Sequence, residues 1–284
     1  NILATSDEVM KKLELEEKYK YNQVNYLNKI SGYPVYFNQG LQYFDIGEKF
    51  FESLTNDLKQ AKNYIFIEFF IISSGKLWNE VLEILKQKAA QGVERKIIID
   101  SLGSLGQKPK NFKEKMQKYN ISVFEFNPFT PIINGYINYR DHRKIIVIDG
   151  EVAYTGGVNL ADEYANLIER FGYWKDVGMK VEGSAVDSFA IMFLRNLEEI
   201  TLDTTIDYIK YLDVGKINRQ NIKYKEHTGY VIPFADGPDN RKNPIENIYI
   251  QTINYSKNYV YMTTPYFIVS ETILNSLLNA ARSG

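Results

Sequence analysis

Cysteine is absent from the 284 residues. A disulfide framework, a thiolate metal site and a cysteine nucleophile are all excluded by that absence. Histidine is scarce: there are 2, His142 and His227, too few for a multi-histidine metal centre. Long apolar runs are missing as well. The best, Tyr64 to Ile72, is interrupted by Glu68 and falls short of the roughly 18 residues that a membrane-spanning helix needs. No signal-peptide pattern is visible. An excess of one charge sign is also lacking. Lys+Arg is 34 and Asp+Glu is 35, a net charge of −1, so a basic nucleic-acid surface covering the whole chain is not expected. What is present is ordinary globular composition, 44% hydrophobic and 24% charged, which rules out a disordered chain, a collagen or a coiled-coil rod. The length allows one large domain or two medium ones.

The pattern along the chain is α/β. A Lys/Glu/Tyr-rich helix is expected over residues 7–30, stopped by Gly32 and Pro34. A second helix fits Gly47 to Ala61, and Asn63 to Ile72 reads as a strand buried on both faces. Leu77 to Ala90 is an amphipathic helix ended by Gly92, and Arg95 to Asp100 is the next strand. Strand, helix, strand implies parallel pairing. Further strands are expected at 122–127, from Gly135 to Tyr139 into 145–148, and at 152–155, 174–181 and 229–234. Further helices are expected at 185–199, 245–256 and 270–282, the last with Ser270 as N-cap.

An internal echo organises this pattern. Ala61-Lys-Asn-Tyr-Ile-Phe-Ile recurs as Ser256-Lys-Asn-Tyr-Val-Tyr-Met. Each copy runs into an aromatic-rich strand end (Phe69-Phe70; Pro265-Tyr266-Phe267) and then an amphipathic helix closing near Ala-Ala and Gly. The offset of about 195 residues suits a duplicated domain rather than a solenoid. Three parts follow: a helical segment 1–34, a first repeat 35–225, and the truncated start of a second repeat, 226–284. With Asn1 rather than Met at its start, the chain is expected to be a piece of a longer polypeptide, soluble as it stands.

The sharpest chemical signal is Asp141-His142-Arg143-Lys144, then Ile145 to Ile148, Asp149-Gly150, and Thr155-Gly156-Gly157-Val158-Asn159. His142 and Lys144, two apart on a strand, share a face. Asp149-Gly150 is a two-residue hairpin signal. That hairpin sets Lys144 opposite Thr155 and His142 opposite Gly157, with Asn159 one pleat further on the same face. Asp149 then holds the turn rather than meeting substrate, and a three-residue loop would break this parity. A neutral imidazole beside an ammonium and amide donors suits attack on a phosphodiester without metal, the positive charge being supplied by lysine. Gly156 and Gly157 let the backbone come close and offer N–H donors.

His-x-Lys-x4-Asp followed by Gly-Gly-x-Asn resembles the HKD signature of the phospholipase D superfamily. The resemblance sharpens toward the bacterial cardiolipin synthases in Asn138 to Gly150, in Asn159-Leu-Ala-Asp-Glu-Tyr164 and in Phe171-Gly-Tyr-Trp-Lys-Asp176. Glu68-Phe-Phe-Ile-Ile72, Asp100-Ser-Leu-Gly-Ser104, Gly237-Pro238 and Thr264-Pro-Tyr-Phe-Ile268 fit the same family, so the likeness runs from about Gly32 to Gly284. It implies an α/β sandwich of phospholipase D type, with a mixed sheet flanked by helices. One repeat would be complete and a second begun. It also implies a phosphatidyltransferase that joins two phosphatidylglycerols into cardiolipin and releases glycerol, with no cofactor and no metal.

Several residue roles come with the resemblance. His142 is the histidine that becomes phosphohistidine, Lys144 and Asn159 bind phosphate oxygens, Asp149 is the motif's aspartate, and Asp176 orients the histidine ring. Many superfamily members have Ser where Gly157 stands, so here only a backbone contribution is expected. Family members carry two such motifs facing one site. The second His is expected beyond Gly284, the fragment alone is expected to be nearly inactive, and the full-length parent is expected in the bacterial cell membrane. Its partners would be phosphatidylglycerol, a membrane surface and the missing second repeat, with no nucleic acid. The 22 Tyr and 16 Phe are expected to serve the core and a lipid-facing rim.

Two other readings remain. A metal-independent nuclease or phosphodiesterase that shares its site between two chains is disfavoured by the 256–284 echo and the charge balance. A non-catalytic lipid-binding module predicts no covalent phosphorus label. His227 is expected at the surface or in a loop, and Glu68 either pairs with a Lys or Arg in the core or lines the site.

Overall fold

A computed structural model describes residues 4–128, 139–170, 172–220, 225–237, 243–264 and 266–283. The expected strand start at 135–138 and the motif residues Asn138, Phe171, Pro238, Pro265 and Gly284 lie outside the described residues. The strands are β1 (Tyr36–Phe44), β2 (Tyr64–Phe69), β3 (Glu94–Asp100), β4 (Ser122–Phe126), β5 (Ile145–Ile148), β6 (Val152–Gly156), β7 (Gly178–Glu182) and β8 (Glu226–Val231). The helices are α1 (Asp7–Glu16), α2 (Lys18–Ser31), α3 (Gly47–Gln60), α4 (Lys76–Ala90), α5 (Phe112–Lys118), α6 (Val186–Thr201), α7 (Tyr208–Arg219), α8 (Pro244–Tyr255) and α9 (Glu271–Ser283).

The chain divides into two compact units, residues 36–233 and residues 1–35 with 234–284. The first is a mixed sheet in the order β4-β3-β2-β5-β6-β7-β1-β8. β2 pairs parallel with β3, and β3 with β4, as the strand–helix–strand pattern requires. The remaining pairs are antiparallel. The apolar run Tyr64–Phe69 is buried throughout because β2 is central, with β3 on one edge and β5 on the other. Phe50, Phe51, Leu54 and Leu58 of α3 and Trp78, Val81 and Leu85 of α4 close the core with Ile65, Ile67, Ile97 and Ile99. Because β5 and β7 run opposite to β2 and β6, the start of β5, the end of β2 and the 157–177 connection all meet at one end of the sheet.

β8 lies in this sheet, against β1, although sequence pattern placed 226 onward in a second repeat. β1 itself was not expected. Its sequence mixes polar and aromatic residues, and its ladder slips register between Phe37 and Gln39 beside Asn38, which has φ +52°. The two short helices α5 and α7 were not expected either.

In the other unit α1 and α2 replace the single helix expected over 7–30. Glu17 leaves helical geometry at φ −141°, ψ 57° and ends α1. α9 forms where expected, with Ile273 N–H donating to Ser270 Oγ at 3.3 Å. The echoed segment 256–264 does not form the strand that its likeness to β2 predicted: it joins no ladder among the described residues. A strand exists only in a pair, and β2 has β3 and β5 where this segment has no paired strand among the described residues.

Candidate active site

The hairpin departs from the two-residue expectation. Ile148 pairs with Val152, so the loop is Asp149-Gly150-Glu151. Asp149 (φ +54°) and Gly150 (φ +65°) both occupy the left-handed region, the turn chemistry that Asp-Gly signals. One further residue, Glu151, then shifts the register so that Ile145 rather than Lys144 faces Thr155. Residues 141–144 precede β5 and are not in a ladder. The parity argument for Asn159 therefore fails at the turn, as a three-residue loop requires.

The central pair survives because it depends on local chain and not on that register. Lys144 Nζ lies 3.0 Å from His142 Nδ1 and 3.2 Å from Nε2, and donates to the His142 carbonyl at 2.7 Å. The imidazole packs against the Phe70 ring at 4.7 Å between centroids, and the Lys144 ammonium is 5.6 Å from the same ring. His142 is exposed, whereas Lys144 is buried. Loss of surrounding water, then the neighbouring Lys144 charge, lowers the His142 pKa from its usual 6.5. The imidazole is thus neutral at pH 7 and free to act as a nucleophile. Burial brings the Lys144 ammonium down to about 8, against the pull of Asp141 and Asp176.

The other expected residues separate into distinct roles. Asp149 is buried at the opposite end of β5. Its carboxylate accepts from the backbone N–H groups of Lys62 (2.6 Å), Asn63 (2.7 Å) and Tyr64 (2.7 Å), tying the hairpin to the start of β2. It holds structure and makes no contact with His142.

Asn159 is buried. Its amide oxygen accepts from Ile71 N–H at 3.1 Å and its amide nitrogen donates to Tyr164 Oη at 2.9 Å. It therefore sits beside the Phe70–Ile71 end of β2 and makes no hydrogen bond to His142 or Lys144. Gly157 does not offer its N–H to a ligand, because that group donates to the Val177 carbonyl at 3.0 Å. A Cβ at 157 would meet Asp176 Oδ1 at 2.2 Å, so glycine here makes room for that carboxylate. Asp176 accepts from Trp174 Nε1 (3.3 Å) and Val177 N–H (2.8 Å), and its charge supports Lys144. No hydrogen bond joins it to the His142 ring in this structure. His227 is exposed on β8, a strand rather than a loop.

Glu68 is answered by the fold. Fully buried on β2, it lies 2.9 Å from Arg143 Nε and accepts from Asn196 Nδ2 at 3.2 Å. It belongs to a core ion cluster behind the site rather than to its lining. Phe70 and Asn196 were missed as individuals. Asn196 carried a signal, being an amide on the apolar stripe of α6 that includes Phe189, Met192 and Phe193.

Residues 54–169 match the family model described as cardiolipin synthase, PLD-like domain. A protein of uncharacterised function from Streptococcus mutans is 40% identical over 97% of this chain and 58% of its own length. A cardiolipin synthase from Oceanobacillus iheyensis is 31% identical over 95% of this chain and 56% of its own length. The fold is shared with a phosphatidylserine synthase from Haemophilus influenzae, at 16% identity and TM-score 0.59, over 92% of this chain and 64% of that one. Over residues 54–169 the chain is similar to that PLD-like domain, and over most of its length it is similar to bacterial cardiolipin synthases. It spans little more than half the length of these two curated relatives. No helix among the described residues is long and apolar enough to cross a membrane.

Proposed function

We propose that the chain supplies one half of a phosphatidyltransferase site that makes cardiolipin from two phosphatidylglycerols through a phosphohistidine on His142. The observation that carries this reading is the exposed, neutral imidazole held 3.0 Å from the Lys144 ammonium. In the first displacement a His142 ring nitrogen bonds to phosphorus. The bond from phosphorus to the glycerol oxygen breaks, and that oxygen takes up a proton from an acid opposite. In the second, a hydroxyl of another phosphatidylglycerol bonds to phosphorus and gives up its proton as the P–N bond breaks. Lys144 balances the phosphate charge in both steps. The acid and base opposite belong to a second His-x-Lys motif, which this sequence does not contain. On this reading the 284 residues alone turn over little, and the lipid is met at a membrane surface.

The test uses a form of the protein carrying both motifs, with phosphatidylglycerol labelled in its phosphate. The expected result is a base-stable, acid-labile label on the protein, absent from His142→Ala, with one glycerol released per cardiolipin. Phosphatidic acid in place of cardiolipin would make water the acceptor. An unlabelled protein that still makes cardiolipin would overturn the phosphohistidine.

A further inference from the structure

Arg143 stands between the two working residues in sequence, and its side chain goes elsewhere. His142 and Lys144 meet at Phe70, while the Arg143 guanidinium enters the core cluster of Glu68, Asp141 and Asn196. Its Nε lies 2.8 Å from Asp141 Oδ1 and 2.9 Å from Glu68 Oε1. Asn196 Nδ2 bridges the two acids from α6, donating to Asp141 Oδ2 at 2.9 Å and to Glu68 at 3.2 Å. The backbone is held by Asp141 and by Asp100. Arg143 N–H donates to Asp141 Oδ1 at 3.2 Å, and Asp141 N–H donates to Asp100 Oδ2 at 3.0 Å. Glu68, Asp100 and Asp141 are all buried, and Glu68 faces Ile145 across the β2–β5 ladder.

We propose that Arg143, clamped by Glu68 and Asp141, which Asn196 joins, is a positioning residue that keeps His142 and Lys144 against one another. The reason is steric and electrostatic. The residues before β5 have no ladder to fix them, so the directions of 142 and 144 are set by where the intervening side chain is anchored. A guanidinium held by two carboxylates, themselves joined by the Asn196 amide, is a stiff anchor, since withdrawing it leaves buried acids unpaired. Burial, then the Asp141 charge, raises the Glu68 pKa well above its usual 4.5.

The purpose assigned to the clamp rests on the proposed role of His142 and Lys144, but its test does not use turnover. The measurement is the His142 imidazole pKa in the 284-residue chain, followed by NMR titration, with His227→Gln to identify the signal. In the parent background Lys144→Met is expected to raise that pKa by about half a pH unit or more, because a facing cation is lost. In an Arg143→Ala background the same substitution is expected to have less than half that effect, because the pair has come apart. Any direct field from Arg143 is absent from both members of the second comparison and cancels. An undiminished Lys144→Met effect would overturn the proposal. Should Arg143→Ala fail to unfold cooperatively, Asn196→Ala and Arg143→Lys take its place. Both keep every charge and are expected to weaken the coupling, and an unchanged coupling in both would again overturn the clamp. Absence of a phosphohistidine would sink the proposed function and leave this coupling standing. Absence of the coupling would leave the expected label untouched.

Discussion

Lys144 shows how a single residue trades stability for chemistry. Its pKa falls from 10.5 in the unfolded chain to about 8 in the folded one, chiefly through burial. The folded state therefore binds its proton more weakly, and the group opposes folding fully below about pH 8. The penalty fades as pH rises from about 8 toward 10.5. Lys144→Met should then make the chain more stable at pH 7, by about 1–3 kcal/mol in urea denaturation, while removing phosphate labelling. A loss of stability would mean that the ammonium's bonds to His142 outweigh its desolvation. The same two groups set a pH window. Labelling should rise as His142 loses its proton, with a midpoint below 6.5, and decline above about 8 as Lys144 loses its own. A rate that keeps climbing past pH 9 would mean that the ammonium is not needed.

At the scale of elements, carboxylates distant in sequence finish what local pattern starts. Asp162 accepts from the N–H groups of Lys76 and Leu77, both at 2.9 Å, and so caps α4 from 86 and 85 residues away. A Cβ at Gly75 would meet that carboxylate at 2.5 Å, so no side chain there could provide the cap. Asp162→Ala should cost about 1 kcal/mol by denaturation and leave the His142–Lys144 coupling intact. Asp149 does the same for the start of β2. Asp149→Asn, which tolerates the left-handed backbone, should cost about 1–3 kcal/mol through its three N–H partners, again without moving the His142 pKa. A large change in that pKa would return Asp149 to the reacting site.

These elements also mark what sequence makes legible. Tyr64–Phe69 and Glu94–Asp100 are read from their apolar runs, and His142 with Lys144 from their spacing, because each signal is local. The extra turn residue Glu151, the cap from Asp162 and the amide of Asn196 are not readable in the same way. Each is decided by a partner brought close only by the folded chain.

At the scale of the whole molecule, the two likenesses within the chain behave differently. Tyr64–Phe69 sits between two neighbours and is buried. Its echo puts Tyr259 at 69% and Tyr261 at 86% exposure, stacked on one another at 4.7 Å. An aromatic pair this open covers little apolar area, so the segment gains little from its own side chains. Its backbone groups at 257–264 likewise join no ladder among the described residues. Amide hydrogen exchange should therefore find β2, β3 and β5 among the slowest sites and 257–264 near the rate of an unstructured peptide. In a form of the protein that carries a second His-x-Lys motif, the same amides should slow by orders of magnitude, because the echo of β2 then has strands to pair with. If 257–264 stays fast in that longer form, its likeness to β2 is one of sequence alone, and the second half of the site must be built without it.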